Sequence, residues 1–152
     1  MINLISGPIC SGKSTWIKND MRPDTDRVIV VSDVVRDIVK SNDRRVLQDT
    51  AEMAGRIADK ITSTIKSTDI HNDWYVDGIR QVEIIERLVC NFGFYNTRLK
   101  WIDPGLAERE LRYNLRNAEK DKSQNFHQAE IADNKLGVEN VKMVALAWAS
   151  KI

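Results

Sequence analysis

Apolar and polar positions fall along the chain in two alternating kinds of block. Residues 2–6 (Ile-Asn-Leu-Ile-Ser) form a short apolar run stopped by Gly7-Pro8, which predicts a strand meeting a turn. A helical pattern runs from Lys13 to about Asp20 and is broken by Arg22-Pro23-Asp24. Val28-Ile-Val-Val31 is a continuous β-branched run, as in a strand buried on both faces. Ser32 or Asp33 is then placed to cap a short helix reaching about Lys40. Leu47, Ala51, Ala54, Ala58, Ile61 and Ile65 recur at three- and four-residue steps, so 46–66 is expected to be a long amphipathic helix.

Trp74-Tyr-Val76 predicts a third strand, stopped at Asp77-Gly78. Val82, Ile85, Leu88 and Val89 mark a helix closed by Gly93. Thr97 to Asp103 alternates apolar and polar residues, a fourth strand before Pro104-Gly105. A charged helix over about 106–121, a polar linker at 121–124 and a helix over 125–136 follow. Residues 141–152 fit either a last strand or a buried helix, and periodicity does not separate the two. Strands alternating with helices predict the α/β class. The expected architecture is a three-layer fold with a parallel sheet of four to five strands, helices on both faces, in a single domain over 1–152.

Composition narrows the function classes without choosing one. The chain has 152 residues, 23 basic and 22 acidic, for a net charge of +1. That balance lacks the general cationic footprint of a nucleic-acid binder, although the run Lys40, Arg44, Arg45 leaves a local patch open. No stretch approaches the roughly 20 apolar residues of a membrane span. Met1 leads directly into Ile-Asn-Leu-Ile without a charged n-region. Cys10 and Cys90 are too few for a disulfide framework and lack metal-ligand spacing. A reduced, cytoplasmic setting without a membrane partner is the expectation. His71 and His127 stand apart from other metal-type ligands and read as surface residues. Tryptophans 16, 74, 101 and 148 lie in or beside apolar runs, where core packing and a substrate-facing edge are both open.

The most specific motif is Gly7-Pro-Ile-Cys-Ser-Gly12-Lys13-Ser14, which fits G-x-x-x-x-G-K-[ST] between the first strand and the first helix. A loop wrapped round a phosphate needs successive backbone N–H groups pointing inward, and glycine permits those dihedrals. The following helix adds its positive N-terminal end. Gly7, Ser11, Gly12, Lys13, Ser14 and Thr15 are the residues expected to cradle a nucleotide triphosphate. Lys13 would reach the β and γ phosphates, and the Ser14 hydroxyl would ligate Mg²⁺. Cys10 is a spacer position. A guanine-reading Asn-Lys-x-Asp is missing, since Asn134-Lys135-Leu136-Gly137 lacks the Asp, and no Asp-x-x-Gly follows the third strand. A regulatory GTPase is thereby disfavoured, and the chain leaves no room for the helical lid domain of an AAA-type motor.

Two further pairs follow strands. Ser32-Asp33-Val-Val-Arg36-Asp37 comes after the second, and Val76-Asp77-Gly78-Ile79-Arg80 after the third. Parallel sheets bind ligands at the carboxyl ends of their strands, so Asp33, Arg36, Asp77 and Arg80 are expected to project toward the phosphate loop. Two arginines there suit a second phosphate-bearing substrate. The plainer alternative makes Asp33 a helix cap and Arg36–Asp37 a surface pair.

Gly7–Thr15, Asp33-x-x-Arg36 and Asp77-Gly78-x-Arg80 resemble the P-loop nucleoside monophosphate kinases of the adenylate kinase group. The likeness is closest to the compact deoxynucleoside monophosphate kinase-like branch, and it extends through spaced arginines to Phe126, Glu130, Asp133 and Leu136-Gly137-Val138. The resemblance implies ATP and Mg²⁺ as cofactors. It further implies Arg36 and Arg80 on the acceptor phosphate, with Asp77 in the magnesium shell. The chain departs from adenylate kinase in that Ile79 leads directly to Arg80, and no segment is long enough for a full lid domain. A short lid would be the helix 106–121, where Arg109, Arg112 and Arg116 share one face opposite an apolar stripe of Ala107, Leu111, Leu115 and Ala118. Lid arginines neutralise charge spreading over the transferred group. The alternative is a solvated face with Glu108–Arg112 pairing.

The leading expectation is ATP- and Mg²⁺-dependent transfer to a (deoxy)nucleoside monophosphate, a small-molecule acceptor already ionised near neutral pH. The second is a kinase acting on a hydroxyl, at a DNA or RNA 5′ end or a hydroxymethylated DNA base, because Asp-x-x-Arg also resembles the polynucleotide kinases. There Asp33 would be the general base. The third is a non-catalytic ATP-binding module.

Overall fold

The computed structural model describes residues 1–40, 51–68, 71–117, 125–135 and 137–149. Its centre is a sheet of four strands in the order β2 (Arg27–Val30), β3 (Trp74–Asp77), β1 (Ile2–Ser6), β4 (Thr97–Trp101). All three pairings are parallel, with Ile5 beside Asp77, Ser6 beside Trp101 and Val30 beside Asp77. The carboxyl ends of all four strands therefore lie along one edge. Crossing back between parallel strands requires helices: α1 (Lys13–Asp20), α2 (Val31–Val39), α3 (Ala51–Thr68) and α4 (Val82–Phe92) lie between strands, and α5 (Leu106–Asn117), α6 (Phe126–Lys135) and α7 (Val138–Ala149) follow the last.

The period of two along each strand divides the core. Ile2, Leu4, Trp74, Val76 and Leu99 point to one face, where they meet Val34 and Val35 of α2, Ile57, Ile61 and Ile65 of α3, Ile84 and Leu88 of α4, and Val141 of α7. Ile5 and Tyr75 point to the other face and meet Ile17 of α1, with Trp16, Met21 and Ile102 around them. The expected three-layer α/β fold is thus present, with unequal layers. On the thinner side Tyr75 donates its hydroxyl to Asp20 at 2.7 Å, and burial together with that carboxylate pushes its titration upward.

Several boundaries differ from the sequence pattern for physical reasons. β2 starts at Arg27 and ends at Val30, and α2 follows without a loop, so neither Ser32 nor Asp33 is its cap. Extended Val30 takes that position, and no side chain caps the helix. The ambiguous end of the chain is helix α7, whose Val138, Val141 and Ala145 are buried at helical spacing. α6 begins at a reciprocal cap: Gln128 N–H donates to the Asn125 side chain at 2.8 Å, and Asn125 N–H to the Gln128 side chain at 3.0 Å. Arg44, Arg45 and Leu47, the end of the charged helix from Ala118, the linker 121–124, Leu136 and residues 150–152 lie outside the described residues. Among the described residues no helix is long and apolar enough to cross a membrane.

Candidate functional site

The loop from Gly7 to Gly12 leaves the carboxyl end of β1 and turns directly into α1. Gly12 has φ +86°, a backbone conformation that favours glycine, and the end of the Arg112 side chain lies over it. Cys10 is one of two non-glycine residues with positive φ among the described residues, at 57°. The half-buried Lys13 ammonium donates to the Gly7 and Pro8 carbonyls at 3.3 and 3.2 Å and to Ser11 Oγ at 3.4 Å. Burial first, and the nearby Arg80 charge second, lower its pKa from 10.5 to about 8.

Two ties fix the ends of β1 and β3 against each other. Ser6 Oγ donates to the Ile79 carbonyl at 2.5 Å, and Gly78 N–H to the Ile5 carbonyl at 3.0 Å. Asp77, buried at the end of β3, accepts the Ser14 hydroxyl at 3.0 Å. A hydroxyl and a carboxylate make an all-oxygen donor pair, the chemistry of a hard cation that keeps several waters. Among the described residues there is no cluster of three or more His, Cys, Asp or Glu side chains suited to a metal. Ser14 and Asp77 are residues whose oxygen donors would suit such a cation.

These groups open into a cleft of about 470 Å³. Lys13, Asp77, Arg80 and Arg116 supply its charge, Ser14 a neutral hydroxyl, and Val31, Val35, Ile57 and Ile84 its apolar wall. Cys10 and Gly78 also line it, together with Ser32, Gln81 and Asp133.

Asp33 and Arg36 do not line the cleft. They pair with each other on the outer side of α2, with the Asp33 side chain 62% exposed. The reason is the missing loop after β2: with α2 starting at Val31, burying Val31, Val34 and Val35 turns positions 33 and 36 outward. Thr15 is exposed, and Ser11 is buried within the loop.

The three arginines of α5 separate. Arg109 is only 5% exposed; it holds Glu130 of α6 at 2.6 Å, lies 3.5 Å from Asp103 and donates to the Ile9 carbonyl at 3.4 Å. Its guanidinium also sits 5.6 Å from the Phe126 ring centre. Arg112 pairs with Glu108 at 2.6 Å and approaches Gly12. Arg116 reaches the cleft.

The apolar stripe is not the buried side of this helix. Leu111 and Leu115 are 59% and 67% exposed, because the buried positions are Arg109 and Tyr113, the latter edge-on to Phe126. The carboxylate of Glu130 decides the rotation, and a helix-only pattern could not reveal a partner 21 residues away. None of the four tryptophans lines the cleft: Trp74 is core, Trp148 stacks on Phe94 at 4.7 Å, and Trp16 and Trp101 are half-buried. His71 and His127 are exposed. Ser32 and Asp133 stand in the quoted motifs without a site role there, and Gln81 stands in none. Gln81 was signalled only by following Arg80.

No protein-family profile matches the chain, and no curated protein matches it in sequence. Among solved structures, a chain in the Pnkp1/Rnl/Hen1 RNA repair complex superposes with TM-score 0.64 at 16% identity. The match covers 94% of this chain and 45% of that one, so this chain spans less than half the length of that neighbour. A likeness at that identity establishes the fold.

Proposed function

We propose that the protein is a phosphotransferase using ATP and Mg²⁺, with a (deoxy)nucleoside monophosphate as acceptor. The observation that carries the reading is the meeting of the Gly7–Ser14 loop with Asp77 at the mouth of one cleft that also holds Lys13, Arg80 and Arg116. In this reading the loop N–H groups, with Gly7, Ser11, Gly12 and Thr15, hold the triphosphate. Ser14 and Asp77 would hold the magnesium, which supplies charge neutralisation between the phosphates. Lys13 neutralises the transferred group, and Arg116 is the lid arginine placed to share that task.

Arg80 takes the acceptor phosphate, and the wall of Val31, Val35, Ile57 and Ile84 takes the flat face of a base. An acceptor phosphate oxygen attacks the γ-phosphorus and ADP departs. The attacking oxygen carries no proton to remove, so the reaction needs no base. That agrees with an Asp33 that is exposed and bound to Arg36. Arg109 acts as a strut that seats α5 on the loop rather than as a group on the substrate, and Arg112 pairs within α5 to Glu108 beside Gly12.

The likeness to a chain of an RNA repair complex favours a second acceptor class, a hydroxyl at a nucleic-acid end, with a modified DNA base as a further hydroxyl acceptor to test. Purified protein with labelled ATP and Mg²⁺ separates the two. The panel is the four dNMPs, the NMPs, 5′-hydroxyl oligonucleotides and hydroxymethyluracil DNA. Transfer to a monophosphate is expected. Transfer to nucleic acid alone would replace the first reading with the second, and transfer to nothing would leave a nucleotide-binding module.

A further inference from the structure

Arg80 and Asp133 form an ion pair between the loop after β3 and helix α6, 53 residues apart in sequence. Both residues line the cleft, yet they are unequal: the Arg80 side chain is 29% exposed and that of Asp133 4%. The cationic end faces the cleft and the anionic end lies inside the protein. Among the described residues the second carboxylate oxygen of Asp133, Oδ2, has no hydrogen-bond partner. A buried carboxylate with one oxygen unsatisfied is an expensive way to pack a helix, and an apolar side chain would cost less. Asp133 therefore does not stand where it does to dock α6. A second contact converges on the same residue: Gly137, at φ +104° in the turn from α6 to α7, lies against the Arg80 backbone carbonyl, where a Cβ would sit 3.2 Å from the oxygen.

From this we infer that Asp133 is a positioning residue, which holds the Arg80 guanidinium at the cleft wall from α6, so that the acceptor-phosphate site is complete only while α6 is docked. The inference rests on the proposed role of Arg80 in gripping the acceptor. It adds that the grip depends on an element outside the strand–loop motifs. α6 is itself tied to α5 and to the glycine loop through Glu130, Arg109 and the Ile9 carbonyl. The two substrate sites are thus joined through α6: Ile9 to Arg109 to Glu130 at one point of the helix, and Asp133 to Arg80 one turn further on.

The test is a double-mutant cycle on Arg80→Ala and Asp133→Asn, with the KM of ATP and of the best dNMP measured separately. Asp133→Asn keeps volume and removes the charge. Expected is a rise of about tenfold in the dNMP KM, with ATP KM unchanged, and no further rise when it is added to Arg80→Ala. An equal rise in the Arg80→Ala background, an equal rise for both substrates, or an unchanged dNMP KM would each overturn the inference.

A readout independent of turnover keeps the inference separate from the proposed reaction. The Arg80 Nε–Hε NMR signal, identified by its loss in Arg80→Lys, should be rigid on the nanosecond scale in the parent protein and mobile in Asp133→Asn. If no monophosphate is phosphorylated, the proposed function fails, and this signal alone decides: an Arg80 equally rigid in both proteins overturns the positioning role.

Discussion

Ser14 and Asp77, 63 residues apart in sequence, are joined by a hydrogen bond of 3.0 Å from hydroxyl to carboxylate across the ends of β1 and β3. Neither residue could be assigned to the other from spacing alone. Ile5 lies beside Asp77 in the sheet, and the chain from Ile5 through the loop returns Ser14 to the same point. If the pair holds magnesium, Ser14→Ala and Asp77→Asn should each raise the Mg²⁺ concentration needed for half-maximal transfer. The expected rise is about tenfold or more, the loss of one charge-assisted contact of roughly 1.5–3 kcal/mol. Magnesium titrations at saturating ATP check this. An unchanged midpoint in both variants removes the pair from the metal site.

Lys13→Met should reduce transfer by about 10²–10³, the usual cost of losing one preorganised charge at the transferred group. A variant retaining a tenth of parental turnover at saturating ATP would count against the loop assignment.

The pH dependence of Lys13 has a definite sign. Its pKa in the fold, about 8, lies below the 10.5 of an unfolded chain. ATP affinity of the parent should therefore weaken from about pH 8 upward, as the free ammonium deprotonates. In stability the charged lysine is a penalty that is full below about pH 8 and is relieved as pH rises toward 10.5. Lys13→Met should thus melt no lower than the parent at pH 7, and any advantage should shrink by pH 10. Calorimetric titration and thermal melts over pH 6–10 measure both.

Asp33→Asn separates the two acceptor classes. With a phosphate acceptor, turnover should fall about tenfold or less, since an exposed carboxylate paired to Arg36 touches no reacting atom. With a hydroxyl acceptor that used this residue as base, the fall would be about 10²–10⁴ with ATP binding retained. The geometry favours the small effect.

Asp26→Asn probes the thin side of the sheet. Asp26 is buried, which opposes its charge, but the Arg22 backbone N–H at 2.8 Å and the Arg22 guanidinium at 3.3 Å outweigh that and hold its pKa below the usual value. Its contribution is present above the unfolded pKa, near 4, and is lost as pH falls through the lower folded value. The variant should be less stable at pH 7 by about 1–3 kcal/mol. The gap to the parent should narrow as pH falls below the ordinary carboxylate range, near 4, in urea titrations, and a gap independent of pH would rule out the charge as its origin.

The strands and the glycine loop could be read because their signals are local: β-branched runs, alternation, and glycines at turns. Leu4 and Val76 are buried for the reason their neighbours suggest. What could not be read depends on rotation about a helix axis. Asp33 and Arg36 share a motif with the site, yet the direct passage from Val30 into α2 turns them away. The α5 leucines have the spacing of a buried stripe, yet Glu130 turns Arg109 inward in their place. Asp133 falls within the family likeness, yet its role is not legible there, because its partner lies on another element.

The two faces of the sheet differ in what they demand of the chain. The face carrying Leu4 and Val76 closes over helices from nearly the whole sequence, whereas the described apolar contacts of α1 rest on Ile5 and Tyr75 through Ile17 and the half-buried Trp16. Amides of α1 and of the glycine loop should then exchange hydrogen by a local opening well before those of β1 and β3, which exchange only when the larger core comes apart. A bound triphosphate would add its contacts to the weaker of the two units. Protein and nucleotide would thereby share the task of holding the first helix closed, and occupancy of the cleft could be followed as protection of eight residues rather than of the whole domain.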